Sequence, residues 1–505
     1  MKNFRKNEIG ITLIALVITV IVLLILAGVT IVALSGDNGI LTRAQDAKDK
    51  TEEAEDIEKI RLAISEAQIG DNGYQKLDMT NFQEALNNQF KGRNVQLSDN
   101  GSGNFTISLD NIAGKYYVDS SGKIIPKEDM IKIGTAEELK AFRDDVNNGN
   151  TYEEKYVYLT SNILLDSGEE WEPIGVYLND ASTPDDERNI AFKGTFNGNG
   201  YEINGIKINS NEKVKGLFAF VSNEGKIINL GIGTDNNITG ILGTAGLVGY
   251  LYNGAEVSNC YNRANITGNG NSIGGVVAIC VNSNINNCYN TGTIESTQVN
   301  AGGIAGMSTN STIINSYNLG SISATDNSGG ITALNISGEM YNCYNVGSIS
   351  GNSKIGGIVS SNSGKIYMCY NVGNVTSTGD YVGGIIGANS GTLYDCYNSQ
   401  NTIQGQRYVG GICGWNQKGE IYNCYNTGNV TGINTVTGGI IGANGAIVKN
   451  CYFLENKINN GNGITIEGIT LKNDSEMKEI YSLLSSNFKK DTENINQGYP
   501  ILNWQ

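Results

Sequence analysis

Nine cysteines are the residues of this chain best suited to covalent or metal chemistry. Seven of them occupy one position of a recurring Asn-Cys-Tyr-Asn block and its variants: Cys260, Cys288, Cys343, Cys369, Cys396, Cys424 and Cys451. Thiols in register can pair as disulfides in an oxidising compartment or gather a zinc ion. The total is odd, no Cys-x-x-Cys occurs and the 505-residue chain has no histidine. At Ser316 the series accepts an isosteric side chain capable of neither chemistry. The cysteines therefore read as small buried residues, one per structural unit. We assign no catalytic, cofactor-binding or metal-binding residue.

Other chemistry is equally thin. General acid/base work needs paired ionisable groups within reach of one bond, and the repeats carry their ionisable residues scattered, as with Asp326, Asp380, Asp395, Arg407 and Lys418 at differing phases. No metallopeptidase His-Glu-x-x-His helix is possible, and no Gly-x-Ser-x-Gly is present. The acidic segment from Asp180 to Arg188 reads as a solvated loop. Between Gly246 and Tyr452 there are six basic and seven acidic residues, too few cations in too little order for a phosphate backbone, so nucleic acid is not a partner. The residues best suited to recognition are Tyr341, Tyr367, Tyr394 and Tyr422, one outward position in four consecutive units. A flat apolar ring with a hydrogen-bonding tip suits a sugar or a partner's apolar surface; packing between neighbouring strands is the competing use.

The elements that carry these residues follow from the period. The Cys-Tyr step recurs about every 27 residues, and a Gly-Gly-Ile step keeps pace with it, its second glycine at Gly246, Gly275, Gly303, Gly330, Gly357, Gly384, Gly411 and Gly439. Phase-locked repeats of this length mark stacked units that bury a core only against each other. Each unit holds three short β-favouring runs punctuated by Asn, Gly and Thr, which predicts three strands per turn of a parallel β-helix, with eight or nine turns stacked about 4.8 Å apart. Three residues before each Cys stands an apolar residue, from Val257 to Val448, which must face inward. The next position ranges from Ser258 to Lys449 and must face outward. Strict alternation would then turn Cys outward, so the intervening residue, most often Asn, must form a corner.

The opening of the chain is different. Residues Ile11 to Leu34 carry no charge and are long enough to span a bilayer as a helix. Lys2, Arg5 and Lys6 precede them and Asp37 follows, which predicts a single-pass protein with a cytoplasmic amino terminus and the bulk outside the cell membrane. Apolar spacing from Ile40 to Ala67 predicts a helix continuing beyond the membrane. A short helix (81–89) and strands at 104–109 and 115–119 would form a small head.

Two resemblances sharpen this. Lys6-Asn-Glu-Ile-Gly10 followed by Ile11-Thr-Leu-Ile-Ala-Leu-Val resembles the leader of type IV prepilins and pseudopilins. That resemblance implies cleavage between Gly10 and Ile11 and methylation by a prepilin peptidase, with other pilins as partners. Ile9 and Ala15 depart from the pattern, the latter replacing a glutamate thought to register subunits in a filament. Further on, Trp171-Glu-Pro-Ile-Gly, the Phe192 to Gly200 segment, Gly216-Leu-Phe-Ala and the closing Gly498-Tyr-Pro-Ile-Leu-Asn-Trp504 resemble GLUG-motif proteins. GLUG repeats occur in bacterial surface adhesins and beside the catalytic domain of IgA-cleaving metallopeptidases, so the resemblance implies a surface solenoid. The expected organisation is a leader (1–10), a transmembrane helix (11–36), a stalk helix (37–70), an α/β pilin-like head (71–130), an amino-terminal cap and lead-in (131–215), a right-handed parallel β-helix (216–470) and a carboxy-terminal cap (471–505). The expected function is non-enzymatic, cofactor-free surface display or adhesion toward a glycan or protein. The alternatives are a pseudopilin of a secretion or pilus machine and a polysaccharide-acting enzyme.

Overall fold

The computed structural model describes residues 19–20, 40–70, 73–74, 77–99, 105–110, 112–118, 122–126, 130–166, 168–178, 183–210, 214–433, 436–459 and 466–505. The junction at Gly10 and Ile11 and all but Thr19 and Val20 of the expected membrane span lie outside the described residues. No helix among those described is long and apolar enough to cross a membrane. The chain divides into two compact units, Met1–Glu128 and Asp129–Gln505.

In the first unit, helix α1 (Ile40–Gln68) and helix α2 (Met79–Gln89) accompany a four-stranded antiparallel sheet built from Val95–Asp99, Phe105–Leu109, Ile112–Val118 and Ile124–Pro126. Asp78 caps α2 by accepting from the Thr80 and Asn81 amides. The last third of α1 has a buried stripe, Ile60, Ala63, Ile64 and Ala67, which packs with Phe82, Leu86 and Phe90 against the sheet's Val95, Phe105 and Ile107. Arg93 links two elements of this unit, reaching Asp56 on α1 (2.5 Å) and Asp110 (2.6 Å).

The second unit is a parallel β-solenoid of about eleven turns, each of about 28 residues. A turn has four faces rather than the expected three. In one turn these are Glu256–Ser258 (face 1), Tyr261–Asn262 (face 2), Ile266–Gly268 with Ile273–Gly274 (face 3) and Val277–Val281 (face 4). The difference arises at the predicted corner, where the bend after Ser258 splits one apolar run into strands on faces 1 and 2. There are also more turns than the eight or nine predicted. The parallel ladder of face 1 begins at Met130–Ile133 and passes through Tyr156–Leu159 and Thr195–Asn197, well before the repeats become regular.

One continuous apolar core runs from Ile133 to Cys451. The amino-terminal turns fill it with aromatic rings: Phe196 and Phe218 meet edge-on at 5.3 Å, and Phe142 of helix α3 (Ala136–Asn147) meets Phe192 at 5.7 Å. Thr135 and Glu138 close a capping box at the start of α3. After the last turns the chain forms helix α4 (Asp474–Glu479) and a small antiparallel pair, Phe488–Lys489 with Ile501–Leu502. This closing segment packs on the outside of face 2, covering Tyr397, Tyr425 and Tyr452.

Candidate functional site

The corner residues preceding the cysteine series set the geometry of everything outside the core. Asn259, Asn287, Asn315, Asn342, Asn423 and Asn450 all have φ between 51° and 56°, a left-handed conformation that Asn adopts more readily than other side-chain-bearing residues. Their amides also join successive turns: Asn287 Nδ2 donates to Asn259 Oδ1 at 2.6 Å, Asn342 to Asn315 at 3.1 Å and Asn450 to Asn423 at 2.7 Å. The expected corner is therefore present. It turns the following Cys into the core.

All nine thiols are free and buried. Each in-register thiol donates to the carbonyl two residues earlier, as in Cys260 to Ser258 (3.2 Å) and Cys424 to Tyr422 (3.2 Å). The Ser316 hydroxyl makes the same bond to Ile314 at 2.8 Å, which explains why Ser serves in that turn. Burial, reinforced by neighbouring thiols, pushes Cys260, Cys343, Cys396 and Cys451 well above the ordinary thiol range, and burial alone raises Cys280 to about 12. Such thiols are poor nucleophiles.

The second Asn of the block, on face 2, forms a buried ladder. Nδ2 of Asn262, Asn290, Asn318, Asn345, Asn371 and Asn398 each donates at 2.8–2.9 Å to Oδ1 of the Asn one turn on, ending at Asn426. The phase-locked glycines from Gly246 to Gly411 lie against this ladder, and Gly439 lies against the Phe453 ring. A Cβ on Gly357 would stand 2.1 Å from the Gly384 carbonyl oxygen and 2.4 Å from Asn371 Cγ, so no larger side chain fits. The two series that define the repeat are thus two halves of one contact.

Outside this frame stand two rows of tyrosines. On face 1, Tyr341, Tyr367, Tyr394 and Tyr422 share one register and are half-buried. The first three rings stack at 4.8 and 4.9 Å. Burial is the main influence raising Tyr367 to about 12, its tyrosine neighbours adding to it. The tyrosine of the Asn-Cys-Tyr-Asn block itself forms a longer row on face 2: seven rings from Tyr261 to Tyr425 stack at 4.8–5.1 Å, nearly parallel. Sequence reasoning did not single out this row, although a tyrosine after the inward Cys, or after Ser316, in all eight units signals it. Its far end is covered: Asn496 Nδ2 donates to Tyr425 Oη at 2.7 Å, and Trp504 lies 5.7 Å from the Tyr370 ring. Its near end remains half-exposed, with Arg263 over the Tyr261 ring at 4.9 Å and the Tyr261 hydroxyl donating to Glu202 at 2.9 Å.

The scattered ionisable groups have local roles. Arg407 Nη2 pairs with Asp380 at 2.5 Å, and Lys418 is exposed. Asp395 is buried at a corner, accepting from Asn423 (3.0 Å) and Asn487 (2.6 Å). Asp326 lies on face 3, in the strand Ile322–Gly329. In the acidic loop, Asp186 holds Arg188 through two bonds of 2.8 and 3.0 Å. No group of three or more potential metal ligands is assembled among the described residues.

The GLUG motif matches residues 241–267 and 405–431, and each match spans about one turn of the solenoid. No curated protein matches this chain. Among solved structures, the crystal structure of a candidate immunoglobulin A1 protease from Bacteroides ovatus is similar at 18% identity, covering 74% of this chain and 92% of that one with a TM-score of 0.29. The chain is thus a GLUG-motif-bearing parallel β-solenoid preceded by a separate small α/β unit.

Proposed function

We propose that this protein is a non-enzymatic display and adhesion protein of the bacterial surface. Residues 11–36 hold it in the membrane after cleavage between Gly10 and Ile11, or carry it into a pilin-like filament, with the amino terminus inward and a right-handed solenoid outside. The tyrosine rows of faces 1 and 2 are the observation that carries this reading. They present stacked ring edges with hydroxyl tips, repeated at the strand spacing, on a surface rich in amides and hydroxyls. Such a surface suits many weak contacts to a glycan or protein, whose sum gives avidity. A pseudopilin using the solenoid for docking is the second reading, favoured by the helix-and-antiparallel-sheet unit that follows the prepilin-like leader.

Alanine at Tyr341, Tyr367, Tyr394 and Tyr422 together is expected to abolish adherence of cells to their target surface while leaving surface expression intact. The stacked pairs contribute about 0.5–1.5 kcal/mol each beyond burial, a loss that a continuous core can absorb. Full adherence by this variant removes the face 1 row from the reading. Recovery of the protein with sheared filaments distinguishes filament display from a fixed anchor, and an intact Met1 by mass spectrometry refutes leader cleavage.

A further inference from the structure

Face 4 carries an outward row of its own, and the row is interrupted. In successive turns it reads Met307, Leu334, Ser361, Ala388, Trp415 and Ala443, paired one-to-one in parallel register. Leu334 and Trp415 stand three strand spacings apart, about 14 Å. The two small residues between them leave an open hollow of about 340 Å³, at the lower end of the range typical of ligand sites.

The walls of this hollow differ in chemistry. At one end is the half-buried indole of Trp415, backed by Tyr381 at 5.2 Å, which in turn stacks on Tyr408 at 5.1 Å. The buried amides of Asn335 and Asn362 beneath are already engaged in their own ladder at 2.8–2.9 Å. Along one side run Ser363, Ser390 and Gln417, exposed at one position in three turns. On the other side is Lys354, exposed and without an ion-pair partner among the described residues. Its neighbour Asp380, whose carbonyl accepts the Lys354 amide, has its carboxylate engaged by Arg407. No carboxylate lines the hollow.

We propose that this hollow binds a carboxylate-bearing sugar of an acidic polysaccharide. A pyranose ring offers an apolar face to Trp415, hydroxyls to the serine and glutamine side chains and a single carboxylate to Lys354. A metal ion would find neither thiolate nor carboxylate here, and a nucleic-acid strand would find one cation where it needs several. The site stands independently of the tyrosine rows, which lie on faces 1 and 2.

Isothermal titration calorimetry of the purified full-length protein in detergent, with trigalacturonate and its fully methyl-esterified form, tests this. Trigalacturonate is expected to bind, with the ester weaker by about three- to fivefold, the size of one exposed ion pair. Lys354→Met should erase that difference. Trp415→Ala should weaken binding by about tenfold or more, as loss of an aromatic anchor does. If that variant does not fold, Ser361→Leu, which fills the hollow, should give the same loss. The fourfold tyrosine variant should bind trigalacturonate unchanged. No binding by the native chain, equal binding of acid and ester, undiminished binding by the hollow variants or loss in the tyrosine variant each overturns the proposal.

Discussion

Asn345 shows how much a single side chain does in this fold. Its amide nitrogen donates to the Gly347 carbonyl and to Asn371 Oδ1, both at 2.8 Å, while its oxygen accepts from Asn318 at 2.8 Å. With no exposed surface, every bond lost leaves a group that water cannot reach. Asn345→Ala is therefore expected to destabilise the solenoid by about 3 kcal/mol, the sum of two or three unsatisfied buried groups. Chemical denaturation should show this as a lower midpoint with an unchanged slope. A change below about 1 kcal/mol, the net worth of one ordinary hydrogen bond, would mean that the ladder is ornamental to stability. The cysteine beside this ladder is the opposite case. The sequence already reads it as a small buried residue, and its bond to a nearby carbonyl is reproduced by Ser316, so its role is volume.

At the scale of the strand and its row, the tyrosines couple stability to pH. A phenol titrates near 10 in an unfolded chain, whereas in the folded chain Tyr367 is raised to about 12, chiefly by burial. Tyr317, Tyr344 and Tyr394 are raised in the same direction, with burial again the first cause. The neutral ring is the form the fold accommodates, so this contribution is present in full below about pH 10 and declines as pH rises toward 12. Melting temperature should begin to fall above about pH 8.5, where the buried thiols would ionise only in the unfolded chain, and fall more steeply above about pH 10, as phenolate absorbance appears together with unfolding. Phenolate absorbance rising near pH 10 with no steepening of that fall would show the rows to be exposed rather than packed. These elements also mark where sequence was sufficient. The inward apolar series, the Asn corner and the thiol ladder were legible because each position repeats and only one side of a strand tolerates its contents. The four-face turn was not, since the strand after the Asn corner is only two residues long, as at Tyr261–Asn262, too short to read as a run of its own. The face 4 hollow was not, because it is a defect in a row, and only three-dimensional register shows that Ser361 and Ala388 lie between Leu334 and Trp415.

For the molecule as a whole, two units of different construction share one chain. The first depends on a small core where α1 and α2 meet an antiparallel sheet. The second adds stability turn by turn, as in other arrays whose units contact only their neighbours. Removing one complete turn, residues 331–357, would bring Gly330 to the place of Gly357 and leave every row in phase. That deletion is expected to leave a folded solenoid with a cooperative transition and a modestly lower melting temperature. Deleting only residues 331–343 should instead split the solenoid into two blocks and remove the single cooperative transition, because the residues of the shortened turn could not find their counterparts in the turns on either side. Circular dichroism melts of the two deletions check this, and equal behaviour of the two would refute the nearest-neighbour account.

The glycine against the asparagine amide has a consequence for how such a chain changes over generations. Gly357 and Asn371 are required by each other and by their copies one turn away, not by anything particular to their place along the array. A gene encoding this contact can gain or lose whole repeats by unequal crossing-over, and each product inherits a complete set of partners. The length of the solenoid can thus vary within a population without any new contact having to be invented.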